Sequence, residues 1–118
     1  MTAQGSSRPI FKRAIQRENL LSAEMAAFEM GHVTLAESLA LTALVAQKDP
    51  GRRSRYTVRW LRRLLEEDEH LSIEEASLAA SALAALGSRR HAEALSTLSA
   101  MVGQASGRRA RRRPASVR

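Results

Sequence analysis

From Ile10 to Val102 the apolar residues recur at helical spacing, broken by capping and turn residues at regular intervals. A first helix is expected after Pro9, with Ile10, Ala14, Leu21, Met25 and Phe28 on one stripe at about 100° per residue. Gly31 suits its end, because glycine adopts the left-handed conformation without steric cost. Thr34 and Glu37 form a capping box that opens a second helix, in which Leu35, Leu39, Ala43 and Ala46 are joined by Leu41, Leu44 and Val45. A helix apolar on most sides belongs at the centre of the fold. Asp49 as N-cap and Pro50 at the first position start a third helix that runs to about Asp68. Ser72 and Glu75 make a second capping box for an alanine-rich fourth helix, which Gly87 ends. Ser88 then caps a fifth, with Ala92, Leu95, Leu98 and Val102 toward the core and Gly103 closing it.

The expected fold is therefore all-α, with a first helix followed by two antiparallel helical hairpins, arranged as a stack or as a compact bundle. Val33-Thr34-x-x-Glu37 with Ala43-Leu44-x-Ala46 is echoed by Leu71-Ser72-x-x-Glu75 with Ala82-Leu83-x-Ala85, at offsets of 38 and then 39 residues. Over residues 33 to 102 this spacing resembles the helical-hairpin repeats of the HEAT type, and the resemblance implies paired helices stacked side by side.

Composition narrows the class further. A chain of 118 residues has room for one domain, and aromatics at 3% against 44% apolar residues favour close-packed helices over a β-rich fold. Three segments are expected: a polar, flexible N-terminus over 1–8, a helical domain over 9–102, and a disordered arginine-rich tail over 103–118. With no cysteine there is neither a disulfide framework nor a thiol nucleophile. No secretory leader and no membrane-spanning run is recognisable, so a cytoplasmic location without membrane contact is expected.

The net charge of +7 is unevenly placed. Residues 103–118 hold six arginines and no acid, which leaves +1 for the rest of the chain. Of these arginines, Arg108, Arg109, Arg111, Arg112 and Arg113 are candidates for phosphate contact, because a run of guanidinium groups displaces counterions from a polyanion regardless of its sequence. In the third helix Arg52, Arg55, Arg59 and Arg62 line one face, with Arg63 beside them and Tyr56 and Trp60 on the border. Guanidinium groups beside flat rings suit phosphate tracking with base stacking, while Val58, Leu61 and Leu65 are left for packing on the other side. The same pattern also suits a solvated face held by Arg62–Glu66 and Arg63–Glu67 pairs. Arg52 and Arg53 stand at the positive end of the helix dipole, an unfavourable place for cations that calls for a compensating partner.

Glu66, Glu67, Asp68, Glu69, Glu74 and Glu75 crowd the turn between the third and fourth helices without the spacing of a calcium loop or a zinc helix. His32, His70 and His91 each lie beside a helix end with no partner at ligand spacing. No nucleophile elbow, Walker loop or dinucleotide fingerprint is present. The expectation is a non-catalytic binding module with no metal or cofactor, contacting DNA or RNA phosphates without sequence preference. The alternative is a module for a protein partner or for homo-oligomerisation, in which the acidic and basic ends of the chain guide association.

Overall fold

The computed structural model describes residues 3–112, with side chains from Ser7 to Arg111. It is all-helical, with six α-helices instead of the five expected: α1 (Ala3–Gln16), α2 (Leu20–Met30), α3 (Leu35–Lys48), α4 (Arg53–Glu67), α5 (Ile73–Ala84) and α6 (His91–Arg112). A 3-10 turn, Pro50–Arg52, precedes α4, so Pro50 occupies the first position of that turn and not of an α-helix. Consecutive helices pair as three hairpins, α1 with α2, α3 with α4 and α5 with α6, in a slab 44 × 41 × 20 Å.

Both capping boxes form. The Thr34 hydroxyl accepts from the Glu37 amide while Glu37 accepts from the Thr34 amide, and Ser72 and Glu75 do the same. They open the second and third hairpins, which accounts for the 38-residue echo. α3 is the hub expected of a helix apolar on most sides, packing against α1, α2, α4 and α6. Its Leu35, Leu39, Ala43 and Ala46 join Trp60, Leu64, Leu83, Leu86 and Leu98 in the main core. Leu44, on another side of α3, joins Phe11, Ala23, Ala26 and Met30 in a second core under the first hairpin.

Three expectations are corrected. The single first helix is two, because Glu18 takes a left-handed φ of 56° and Asn19 restarts the chain as an N-cap accepting from the Ser22 amide. That break resets the helical phase, so Ala23, Ala26 and Met30 face inward; of the foreseen stripe Ala14 is buried as expected, but Leu21, Met25 and Phe28 are 70%, 59% and 88% exposed, and Ile10 is exposed as well. The N-terminus is helical from Ala3, and Ser7 and Arg8 are anchored: Arg8 donates to Glu37 at 2.6 Å and to the His32 carbonyl at 2.9 Å. At the other end, α6 continues to Arg112 where a disordered tail was expected from residue 103. Ala105 is buried and Arg108 finds acids on the neighbouring turn, so packing and charge both reward continuing the helix past Gly103. The structure of residues 1, 2 and 113–118 lies outside the description.

Gly87 marks the α5–α6 turn for a reason other than backbone freedom. Its φ is ordinary, but the guanidinium of Arg53 occupies the space a Cβ would need and donates to the Ala46 carbonyl. Among the described residues, no helix is long and apolar enough to cross a membrane.

Candidate docking face on α2 and α4

Arg52 enters α4 with its charge already matched. Its Nε donates to Asp49 at 2.7 Å and its Nη1 to Glu24 of α2 at 2.7 Å, and Glu24 also accepts from the Tyr56 hydroxyl at 2.9 Å. The partners that the helix dipole calls for at this end are thus intramolecular. The hydrogen bond from Arg52 holds the Glu24 carboxyl below the usual carboxylate range, whereas burial and then the Glu24 carboxylate push the Tyr56 phenol up. Arg52 and Arg59 both lie over the Tyr56 ring, 5.5 and 5.6 Å from its centre, so the half-buried ring already has intramolecular cation contacts.

Trp60 does not border the arginine row as a stacking surface but sits beneath the face, in the core and at the edge of the groove between α2 and α4. It is 1% exposed, and its indole N–H donates to the Leu35 carbonyl at 3.1 Å. With Trp60 and Leu64 as the inward side of α4, only Leu61 of the residues assigned to packing meets the core, while Val58 and Leu65 are exposed. The outer surface of α4 therefore mixes exposed Arg55, Arg59 and Arg62 with two aliphatic side chains. Of the two surface pairs considered, Arg63–Glu67 forms at 2.6 Å, and among the described residues no ion pair engages Arg62, Arg55 or Arg59.

The C-terminal arginines divide. Arg108 donates to Asp68 at 2.5 Å, with the Asp68 side chain only 2% exposed, and stands near Glu75. Arg109 donates to Glu67 at 2.8 Å. Hydrogen bonding from Arg108 holds the Asp68 carboxyl below its ordinary value. The crowded acids of the α4–α5 turn thus fasten the end of α6, a role that spacing alone did not disclose. Arg111 is exposed; the Arg112 side chain, and Arg113 and Arg118 entirely, lie outside the described residues. The histidines serve locally, as with His91 Nδ1 against the Leu86 carbonyl at 2.5 Å, and among the described residues no group of His, Asp and Glu could hold a metal ion.

The structure adds a feature that was missed. α2, α3 and α4 border a groove of about 440 Å³ whose apolar lining, Ala27, Phe28, Val33, Leu41 and the edge of Trp60, is mixed with Glu24, Ser38, Thr42, Tyr56, Arg59 and Arg63. Leu21 and Met25, exposed like Phe28, stand elsewhere on the outer surface of α2. Asn19, an N-cap residue ahead of an apolar run, was the available sign that α2 begins afresh. No family model matches the chain, and no match is found among curated proteins or solved structures.

Proposed function

We propose that this chain is a non-catalytic helical binding module whose α2/α4 side receives a helix of a partner protein. The observation that carries this reading is the row Leu21, Met25 and Phe28, exposed over two turns of α2, with Phe28 lining a groove whose surface is partly apolar. Contiguous apolar surface rimmed by charge is characteristic of interaction sites, and helix-in-groove recognition uses anchors at this spacing. The opposite rim carries Arg59, with Arg55 and Arg62 exposed on the same helix beyond it, and favours a helix that carries carboxylates along that flank. Selection from a displayed library of helix-forming peptides of about 18 residues tests it. Peptides with apolar anchors at helical spacing and glutamates on one flank are expected to be enriched, and Phe28→Ser is expected to abolish their capture. Enrichment that survives Phe28→Ser would refute the reading.

A second reading, contact with nucleic-acid phosphates, draws on Arg55, Arg59, Arg62 and Arg111, which are exposed and have no acid partner among the described residues. Changing the three α4 arginines to glutamine would then lower the salt dependence of DNA or RNA binding by about 2–3 in log–log slope. Deleting residues 104–118 is a poor test, since it also removes buried Ala105 and the Arg108–Asp68 pair.

A further inference from the structure

We propose that a second copy of this chain occupies the α2/α4 face and presents its own α4–α5 turn there, in a two-fold symmetric dimer with antiparallel α4 helices. The inference rests on reading that face as a protein-docking surface, and it names the partner.

The chain displays two exposed surfaces of opposite charge along α4. At the N-terminal half, Phe28 and Arg59 border the same groove, and Arg55 and Arg62 continue the basic row. At the C-terminal end, Leu65 and Glu66 are exposed, and across the turn Glu74 is exposed beside Ile73, which is 82% accessible. Arg59 and Glu66 are seven positions apart on one helix, about 10 Å along its axis. Each surface thus has apolar side chains beside charges without an internal partner that differ in sign from those of the other, Glu24 in the groove being matched already by Arg52.

Parallel pairing would set arginines against arginines and glutamates against glutamates, which costs several kcal/mol at an interface. Antiparallel pairing sets each basic row against the partner's acidic turn. A two-fold axis toward the C-terminal end of α4, between Arg62 and Glu66, makes that match twice and closes the assembly, since residue i of one copy meets residue j of the other and j meets i. Leu65, exposed in the single chain, falls near that axis. The α4–α5 turn can serve in this way because its inner acids are already committed: Glu67 and Asp68 hold Arg109 and Arg108, leaving Glu66 and Glu74 at the surface.

Sedimentation of the full chain with two charge-reversed variants tests the proposal. The wild type is expected to dimerise with a Kd on the order of 10⁻⁵ M, and to go no further. Arg59→Glu/Arg62→Glu, and separately Glu66→Lys/Glu74→Lys, are each expected to weaken dimerisation at least tenfold, and a mixture of the two to restore a 1:1 dimer. Far-UV circular dichroism and thermal melts check that each variant is folded, as expected for exposed positions. A wild type that stays monomeric at about 100 μM overturns the proposal. So do growth beyond the dimer, or two variants that fail to rescue each other. If the wild type is monomeric yet captures acidic peptides through Phe28, the docking face stands and only self-pairing falls.

Discussion

Replacing Trp60 separates a core tryptophan from a base-stacking one, and the structure gives the size of the effect. The indole is 1% exposed, lies among Leu35, Leu39, Leu64 and their neighbours, and donates to the Leu35 carbonyl at 3.1 Å. Trp60→Phe removes that hydrogen bond, at about 1 kcal/mol, and leaves a void the size of the lost ring atoms, at about 1–2 kcal/mol more. Trp60→Ala removes the whole ring, for which about 3–5 kcal/mol is expected. Since domains of this kind are stable by only about 5–15 kcal/mol, the alanine variant should be severely weakened. Urea unfolding followed by far-UV circular dichroism is the assay, because Trp60 is the only tryptophan and its fluorescence is lost with it. In the wild type that same fluorescence should be blue-shifted and insensitive to iodide. A loss below about 1 kcal/mol for Trp60→Ala, the range of surface substitutions, would refute the placement of Trp60 in the core, and so would quenching of the wild type by iodide.

Glu37 accepts from both Arg8 and the Thr34 amide, and the Arg8 hydrogen bond is the chief reason its carboxyl falls from 4.5 to about 2. A depressed carboxyl stabilises the fold above its unfolded value and ceases to do so as pH falls through the folded one. Glu37→Gln should therefore destabilise by about 1–2 kcal/mol near neutrality, and the gap to wild type should close between pH 5 and 2 in acid titrations of unfolding; a gap independent of pH would contradict this. Glu18, at φ 56°, occupies a conformation that glycine adopts more easily, so Glu18→Gly is expected to raise stability by up to about 1 kcal/mol, read as a higher midpoint in urea. A lower midpoint would show that the Glu18–Lys48 contact outweighs the backbone gain. Asp68→Asn should unfasten Arg108 and let the last turns of α6 exchange amide hydrogens faster, while α3 stays protected. Unchanged exchange past Ala105 would show that the pair does not hold the helix end.

Local chemistry made much of this fold readable. Thr34 and Ser72 act within a few residues of themselves, and the boundaries they set agree with the structure, whereas Pro50 opens a 3-10 turn three residues ahead of α4. α3, apolar on most sides, had to be central because no single surface could bury it. Periodicity failed where two phases were equally apolar. Ala23, Ala26 and Met30 compete with Leu21, Met25 and Phe28 on α2, and only the break at Glu18 and Asn19 decides which set turns inward. The arginines show the same limit: their row on α4 follows from spacing, but Glu24, 28 residues before Arg52, and Asp68, 40 residues before Arg108, are brought to them by the tertiary fold.

The most direct test of the α2/α4 face is an amide and methyl NMR titration of the full chain with a peptide enriched in the library selection. Shifts should concentrate at Leu21, Met25, Phe28 and Val33 and along Tyr56 to Arg63, the Trp60 indole that lines the groove included. Shifts confined to the end of α6, or scattered over the slab with the α2 row silent, would contradict the account.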